Sequence, residues 1–475
     1  LPISDVDYEL AKGLLTITAT PREETSQKVR LLSDGGRLVS IPDSLPGAEA
    51  TGFLIKPHCS GELILFPQDK EVREINEAQS WTYQASFFGL GYNGHGLIVR
   101  CPQFGAVWTA GTGEVNGKYS LYGGVAADFR PRHDDPARTT YPFWEMPLVE
   151  SKLELQLVPV ADANGDGVFN WVDVGVTYRK KFIKRNLHLD KSELESVGGK
   201  IDIADQFEGN LDYAQLIEQI RTLDFAKQRW WLVGAHTAPG RHFCDPPFAN
   251  NPDASHDGPG GYDYFAFKRD AAAVGAKIGL HEMFQDTSPS CGPGWDSMPL
   301  KRYETGDLAA TFGGEWNGRD WIDYGKALNV MVADGSFFRT LDAHLKHWQV
   351  GEGDTWHWDV LTAQGGSSDF SLNHPTTHGA DLRTRIEILK HFEQKGIYMT
   401  SEGLQEGLSE HCDFSYVAQA DPLFKSQFAA GEVVPLIPVL FQGTTYYSPG
   451  WGSTAWTLLH GRSEEHTSEL QSPNT

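Results

Sequence analysis

The chain has 475 residues, of which 40% are hydrophobic, and a formal net charge of −23. This length suggests two or three domains, and the hydrophobic content is enough to fill a sizeable core. The negative charge disfavours nucleic acids and anionic membranes as partners, because both are polyanions. The sequence has no run of about 18 apolar residues, so it predicts no membrane span. The aromatic content (14 Trp, 16 Tyr and 25 Phe) is a weak indication of a carbohydrate partner, and the oligomeric state is left open.

The cysteines and the two ends of the chain restrict the interpretation little. No C-x-x-C pair occurs, so no zinc site is predicted, and the odd number of cysteines leaves the redox compartment undecided. The cysteines are Cys59, Cys101, Cys244, Cys291 and Cys412. No signal peptide is visible, although the chain starts at Leu1 as if cut from a longer frame. Residues 462–475 contain RSEEHTSELQS, which resembles a translated sequencing adapter, so this tail is expected not to be native.

Residues 1–160 are predicted to form an N-terminal β-sandwich. Short β-rich runs such as GLLTITAT, GELILFP and SKLELQLVPV are separated by Gly, Pro and Asp-Gly-type turns. In the last of these runs, Leu153, Leu155 and Leu157 alternate with polar residues, which predicts a half-buried strand. Many short strands without a long helix are typical of a sandwich.

Residues 206–461 are predicted to form a distorted (β/α)8 barrel of the TIM type. Helical apolar spacing predicts helices at 213–225, 267–277, 338–348 and 381–396. Short apolar runs predict buried strands at 229–236, 277–284, 354–360, 396–403, 413–419 and 435–441. Roughly six or seven strands alternating with helices favour a barrel that lacks its last strand at a truncation. A doubly wound sheet is the alternative, but no G-x-G-x-x-G loop follows the first strand.

Between these domains, residues 161–205 are predicted to hold a calcium loop and a connecting helix. The sequence DANGDGVFNWVD has oxygen-bearing residues at the spacing of a twelve-residue calcium loop, with Gly167 at the sharp turn. The predicted ligands are Asp162, Asn164, Asp166, the Val168 carbonyl, Asn170 and Asp173. Asp173 replaces the longer Glu of an EF-hand, and an Asx-rich turn without metal is the alternative. Because the sequence has a single loop of this kind, the Ca²⁺ is expected to be structural rather than part of a sensor.

Two acids at predicted strand ends are the best catalytic candidates. Asp359 ends the run WHWDV, and Glu402 ends IYMTSE, with Gly403 leaving room beside it. Active sites of such barrels lie at the carboxyl ends of the strands, and glycosidic bond cleavage uses a pair of carboxyl groups. The rival acids are Glu282, Asp286, Glu315, Asp320, Asp354 and Asp369.

The order of four motifs gives the chain a resemblance to a known family. DANGDGVFNWVD, GAKIGLHEMFQDTSPS, TWHWDV and YMTSEG occur in the order found in endo-α-N-acetylgalactosaminidases of glycoside hydrolase family 101. The chain most resembles the related glycoside hydrolase family 129, over roughly residues 60–450. The resemblance implies a β-sandwich, a calcium loop and a barrel. It also implies a retaining α-glycosidase that hydrolyses α-linked N-acetylgalactosamine of the mucin O-glycan type, with Asp359 as nucleophile and Glu402 as general acid/base.

The resemblance also suggests substrate contacts, although these carry over less well. Trp316 and Trp321 resemble the aromatic stretch before the nucleophile strand and are predicted to stack on the sugar. Further predicted sugar-binding residues are His236, Asp263, His281, Asp320 and Trp358. His374 and His378 follow the nucleophile strand and either line the mouth of the barrel or are solvated.

Three other functions stay open at this stage. An α-galactosidase is the nearest enzyme alternative, and the choice between exo and endo action depends on loops that the sequence does not reveal. A non-catalytic, calcium-dependent glycan-binding protein would retain the fold without turnover. A calcium-dependent docking module would need a second loop like DANGDGVFNWVD, and the sequence has none.

Overall fold

The computed structural model describes the chain in segments that are separated by gaps. The described residues are 3–11, 14–21, 28–30, 37–40, 52–58, 61–66, 77–78, 84–92, 94–102, 107–115, 118–128, 149, 153–184, 197–202, 218, 229–233, 264–274, 277–279, 281–289, 295, 297–316, 319–416 and 431–448. Within these segments, no helix has the length and apolar character needed to cross a membrane.

Strands dominate the first third of the chain, as predicted. They are β1 (Ile3–Ala11), β2 (Leu14–Pro21), β3 (Lys28–Arg30), β4 (Arg37–Ser40), β5 (Gly52–Lys56), β6 (Glu62–Phe66), β7 (Glu77–Ala78), β8 (Phe87–Tyr92), β9 (His95–Arg100), β10 (Val107–Val115), β11 (Lys118–Asp128) and β12 (Leu153–Val160).

Helices and short strands are interspersed in the described part of the remainder. In chain order these are α1 (Trp171–Phe182), β13 (Val197–Asp202), β14 (Arg229–Val233), α2 (Tyr264–Ala273), β15 (Lys277–Gly279), β16 (His281–Glu282), β17 (Asp286–Thr287), β18 (Ala310–Trp316), β19 (Arg319–Gly325), α3 (Leu328–Ala333), α4 (Ser336–His347), β20 (Thr355–Trp358), α5 (His378–Gln394), β21 (Tyr398–Glu402), a 3-10 turn (Ser409–His411), β22 (Phe414–Tyr416), β23 (Glu432–Val433), α6 (Leu436–Phe441) and β24 (Tyr446–Ser448).

The N-terminal strands form two antiparallel sheets. The larger sheet has the order β1-β2-β12-β9-β8-β5-β6-β23, and the smaller has β3-β11-β10-β7 with β4 beside β11. In the larger sheet Tyr92 pairs with His95, so the connection between β8 and β9 is the dipeptide Asn-Gly, which two-residue hairpin turns favour. Strand β23 comes from the far end of the chain and pairs with β6.

Burial along β12 differs from the predicted alternation. Leu155 is buried as expected, but Leu157 is only half-buried, and Val158 and Val160 are buried instead. Val158 and Val160 belong to one apolar cluster with Val174 of helix α1. The helix therefore covers the opposite face of the strand at its end, which the alternation of leucines alone could not reveal.

A buried ionic cluster joins β5 and β6. Glu62 accepts Lys56 Nζ at 3.0 Å and His58 Nδ1 at 2.8 Å on one carboxylate oxygen, and the backbone N–H of Gly431 at 3.1 Å on the other. Burial opposes ionisation of Glu62, but the hydrogen bond from His58 and the charge of Lys56 outweigh it and lower the Glu62 pKa to about 2.

Parallel strands follow one another in chain order through the second half. They occupy seven positions when β15 and β16 are counted as one. Strands β13, β14 and β15 form one parallel sheet, and β16, β20, β21, β22 and β24 form another. Because β15 and β16 are separated by one residue, the run 277–282 borders both sheets. Sequential parallel order with intervening helices is the order of a (β/α)8 barrel. Among the described residues no pairing of β13 with β24 closes a ring.

Most of the helices and strands predicted within residues 206–461 are confirmed. Helices α2, α4 and α5 lie at the predicted positions, as do the strands β14, β15–β16, β20, β21 and β22. The helix predicted at 213–225 lies outside the described residues except for Glu218, which is helical. The apolar core of this half of the chain includes Trp356, Trp358, Leu341 and Phe392.

The strand predicted at 435–441 is wrong, because this segment forms helix α6. All of its side chains except that of Val439 are buried, and Leu436 and Val439 pack against Gly175 of α1. A short apolar run buried on all sides has no periodicity that separates strand from helix. The next strand is β24, in the more polar sequence that follows.

Candidate active site

Asp359 and Glu402 follow adjacent parallel strands at the same level. The last register pair between β20 and β21 is Trp358 with Ser401, and each acid is the next residue along its strand. Neighbouring strands lie about 5 Å apart, so the two backbones approach closely here. The predicted adjacency of the two strands is thus confirmed. Asp359 is 7% exposed and Glu402 is half-buried.

Hydrogen bonds join the segments that follow the two strands. The Thr362 hydroxyl donates to the carbonyls of Glu402 and Gly403, and the Thr362 N–H donates to Ser401 Oγ at 3.1 Å. The Ser401 hydroxyl in turn donates to the Trp358 carbonyl at 2.7 Å. The segment after Asp359 is therefore fixed directly to the backbone of Glu402.

Gly403 allows these two segments to pack together. Its φ of +68° lies in the left-handed region, and a Cβ at this position would come within 2.7 Å of Ala363 Cα. Gly403 was predicted to leave room beside Glu402, and the space beside Gly403 is taken by backbone of the Asp359 segment.

The turn after Asp359 is strained at Val360. Its φ is +51°, which is an outlier for a β-branched residue. The turn is held because the Val360 carbonyl accepts the N–H groups of Ala363 at 3.2 Å and Gln364 at 3.0 Å. Backbone strain of this kind often occurs at functional sites.

Arg385 of helix α5 donates hydrogen bonds to the turn that follows Asp359. Its guanidinium donates to the carbonyls of Leu361 at 2.9 Å and Gln364 at 3.0 Å, and pairs with Asp381 at 2.9 Å. Burial opposes ionisation of Asp381, but the charges of Lys301 and then Arg385 outweigh it and lower the Asp381 pKa. The carboxylate thus neutralises the cation that holds the Asp359 turn.

The rival acids that can be assessed have structural partners. Asp354, at the opposite end of β20, pairs with Lys268 at 3.0 Å and accepts the Gly351 N–H. Asp369 accepts the N–H groups of Arg302 and Ser371 and contacts His374 Nδ1 at 2.5 Å. Asp286 is 1% exposed and accepts the Thr311 hydroxyl. For Glu282, Glu315 and Asp320 the structure describes the backbone only.

The predicted substrate-binding residues have different outcomes. Trp358 is completely buried and packs edge-on against Phe284 with the ring centres 4.1 Å apart, so it is a core residue and not an exposed sugar platform. Trp316, Trp321 and Asp320 lie on the antiparallel β18–β19 hairpin, and His281 lies on β16 next to His357. His236 and Asp263 lie outside the described residues.

The loop between Asp359 and helix α5 borders a surface cavity of about 330 Å³. Trp295, Arg302, Asn373 and His374 are among its lining residues. His374, which sequence reasoning left between two interpretations, therefore faces this cavity, whereas His378 is the first residue of α5.

The predicted calcium loop is closed by hydrogen bonds between its side chains and its own backbone. Asp162 accepts the N–H groups of Gly165 and Gly167, and Asp166 accepts that of Val168. Asn170 caps α1 and, with Asp173, completes a capping box. Helix α1 thus begins within the loop, over the range that was predicted.

The donor set of this loop fits a hard cation in part. Asp162, Asn164 and Asp166 are exposed residues with oxygen-bearing side chains, the ligand type that suits Ca²⁺. Asp173, in contrast, is 0% exposed and accepts N–H groups from Ala163, Asn164 and Asn170. Over the described ranges no group of three or more His, Cys, Asp or Glu side chains is arranged to hold a metal.

Comparisons with known proteins find solved structures with a similar fold. No family model and no curated protein matches the sequence. The solved structures include the alpha-N-acetylgalactosaminidase NagBb from Bifidobacterium bifidum in complex with Gal-NHAc-DNJ, with 13% identity, a TM-score of 0.64, and 96% of this chain and 74% of that chain covered.

Two alpha-galactosidases are also similar. That from Lactobacillus brevis has 12% identity and a TM-score of 0.51, with 98% of this chain and 64% of that chain covered. TtGalA from Thermus thermophilus, in complex with stachyose, has 11% identity and a TM-score of 0.51, with 96% and 93% covered. The chain therefore shares the fold of these glycoside hydrolases.

Proposed function

We propose that the chain is a retaining α-glycosidase that hydrolyses α-linked N-acetylgalactosamine of the mucin O-glycan type. The observation that carries this proposal is the position of Asp359 and Glu402, side by side at the carboxyl ends of β20 and β21. The fold likeness to an alpha-N-acetylgalactosaminidase and to alpha-galactosidases supports an α-linked galactoside as substrate.

In this mechanism Asp359 attacks the anomeric carbon while Glu402 protonates the leaving oxygen, which gives a glycosyl-enzyme intermediate. Glu402 then removes a proton from water, and the water releases the sugar with its anomeric configuration retained. The turn at Val360 and the support from Arg385 hold Asp359 in place, and Thr362 fixes the backbone of Glu402 relative to it.

A second candidate is an α-galactosidase, which the likeness to two alpha-galactosidases favours. The two functions differ in the acetamido group of the sugar. Initial rates with aryl α-N-acetylgalactosaminide, aryl α-galactoside and the aryl α-glycoside of Galβ1,3GalNAc separate the two and also separate exo from endo action. Hydrolysis of none of the three would contradict both, and binding without turnover would favour a non-catalytic glycan-binding protein.

Asp359→Asn tests the nucleophile, with Asp354→Asn as the matched control. Both changes remove one carboxylate charge from β20 or its flank, but Asp354 lies at the opposite end of the strand and pairs with Lys268. Asp359→Asn is expected to abolish hydrolysis, and Asp354→Asn to lower the melting temperature while activity remains. Near-normal turnover by Asp359→Asn would exclude the proposed role.

Glu402→Gln tests the acid/base. Azide needs no general base to attack the intermediate, so it is expected to restore turnover of a substrate with a good leaving group. The absence of rescue in a folded variant would argue against the role of Glu402.

We further propose that Ca²⁺ binds the loop 162–173 in a structural role. Asp162, Asn164, Asp166 and the Val168 carbonyl would hold it. Asn170 and Asp173, which the sequence also predicted as ligands, instead accept backbone N–H groups and order the loop and the start of α1. The ion would supply charge compensation for the loop carboxylates, and it has no part in the chemical steps.

A further inference from the structure

A buried cluster of Arg100, Tyr178 and Glu406 lies where the N-terminal sheet, helix α1 and the segment after Glu402 meet. Glu406 is four residues beyond Glu402 and is 6% exposed, and Tyr178 is completely buried. The three side chains come from parts of the chain that are far apart in sequence, so their contacts are tertiary ones.

Glu406 is bound on both carboxylate oxygens. One oxygen accepts the Tyr178 hydroxyl at 2.6 Å and the Ser86 N–H at 2.8 Å, and the other accepts Arg100 Nη2 at 2.9 Å. The backbone N–H of Glu406 also donates to the Gln84 carbonyl at 2.9 Å. Four hydrogen bonds therefore fix the segment after Glu402 to the N-terminal sheet and to α1.

The partners of Glu406 are themselves held rigidly. The Tyr178 ring stacks on Phe87 with the ring centres 3.9 Å apart, and the Tyr178 hydroxyl accepts Arg100 Nε at 3.1 Å. Arg100 also donates to Gln156 at 2.9 Å and lies 4.4 Å from the centre of the Phe182 ring. Burial, and then the charge of Glu406, raise the Tyr178 pKa well above its usual value, so the hydroxyl remains a donor at neutral pH.

The segment between Glu402 and Glu406 has little freedom to move independently. Gly403 packs on Ala363, Leu404 is buried in the same apolar cluster as Phe87 and Tyr178, and Gln405 donates to the Ala363 carbonyl. A displacement of Glu406 would therefore be passed to Glu402 through the three closely packed residues between them.

We infer that Arg100, Tyr178 and Glu406 are positioning residues that set the place of the Glu402 carboxyl group relative to the scissile bond. The inference rests on the proposed function, because it assigns the N-terminal sheet and α1 a part in general acid catalysis. Geometry is decisive for this step, since a proton donor must lie within hydrogen-bond reach of the leaving oxygen.

Tyr178→Phe is the most direct test, because it removes only the hydroxyl and keeps the stacking on Phe87. Two aryl α-N-acetylgalactosaminides are compared: one with a 2,4-dinitrophenyl leaving group, which needs little protonation, and one with a 4-methylumbelliferyl group, which needs more. The variant is expected to lose roughly tenfold in kcat/KM, which reports formation of the glycosyl-enzyme, on the second substrate and to remain within about twofold on the first. A purely structural role would lower both rates by the same factor through the fraction of folded protein.

Tyr303→Phe is the matched control, because the Tyr303 hydroxyl donates to the Ala310 carbonyl on an exposed hairpin. It is expected to change neither rate. Glu406→Gln is the second variant, and the melting temperature of each protein is measured alongside.

The outcomes separate this inference from the proposed function. If the unmodified chain hydrolyses neither substrate, the proposed function fails. If it hydrolyses both and Tyr178→Phe lowers both rates equally, or neither, the positioning role is overturned while the function stands. Selective loss on the poorer leaving group supports both.

Discussion

Replacement of Gly403 by alanine tests whether the close packing of the two acid-bearing segments matters for activity. The added Cβ would lie 2.7 Å from Ala363 Cα, whereas ordinary contacts begin at 3.4 Å. The segments must therefore separate by about 0.7 Å, because backbone cannot move aside as a flexible side chain can. A displacement of about 1 Å at an active site can cost on the order of 10²-fold in rate, so we expect kcat/KM to fall by roughly 10-fold to 10²-fold.

The Gly403 variant also carries a backbone penalty that must be separated from the steric one. Gly443→Ala provides that control, because Gly443 has a φ of +71° against +68° for Gly403 but no atom within 4 Å of the added Cβ. Each variant should lose roughly 1–2 kcal/mol of unfolding free energy from the left-handed backbone. Only Gly403→Ala should lose activity.

The assay combines initial rates on an aryl α-N-acetylgalactosaminide with thermal unfolding of both variants. Activity of Gly403→Ala within about twofold of the unmodified chain, where a 1 Å shift is worth far more, would refute the reasoning. An equal loss of activity in Gly443→Ala would refute it as well, since the loss would then come from the backbone alone.

Three further outcomes follow from the described contacts. Thr362→Val should leave the Glu402 and Gly403 carbonyls without the Thr362 hydroxyl as donor, and should cost about 1–3 kcal/mol of unfolding free energy as well as activity. In the control Thr384→Val the lost hydroxyl bonds only to a carbonyl of its own helix, so stability and activity should change little. Equal effects of the two variants would contradict the role of Thr362 in joining the two segments. Folding lowers the pKa of Glu62 from 4.5 to about 2, so about 3 kcal/mol of stability should be present above pH 4.5 and be lost as the pH falls towards 2. Urea titrations at several pH values should show a smaller loss in Glu62→Gln. An undiminished loss in that variant would assign the pH dependence to other groups. Chelation should lower the melting temperature of the unmodified chain but not of Asp162→Ala if the loop binds Ca²⁺, and an unchanged melting curve would dismiss the ion.

Sequence reasoning predicted the elements whose pattern is local. The runs ending at Asp359 and Glu402 are short, apolar and followed by loops, so their strands and parallel arrangement could be predicted. The helix after the calcium loop was also predicted, whereas the role of Asn170 as its cap was not, because Asn170 was assigned to the metal. The segment 435–441 was predicted as a strand because an apolar run buried on all sides has no period that identifies it.

The residues that support the candidate site were missed because their roles depend on tertiary contacts. Thr362 and Glu406 look like ordinary loop residues, and nothing local shows that Glu406 meets Tyr178, 228 residues earlier. Arg385 gave one usable signal, since it is a charged residue on the buried face of an otherwise amphipathic helix. Trp358 was assigned to sugar binding because it neighbours Asp359, but adjacent residues of a strand point to opposite sides, and its side lies in the core.

Covalent labelling tests the central claim, that Asp359 is the nucleophile of a retaining α-glycosidase, most directly. The chain is incubated with an activated 5-fluoro α-N-acetylgalactosaminyl fluoride, which slows breakdown of the glycosyl-enzyme, and is then digested and mapped by mass spectrometry. The account predicts one added sugar, ester-linked to Asp359 in the peptide that contains TWHWDV. A label on a different carboxylate, or turnover that releases the inverted sugar without any labelled protein, would contradict it.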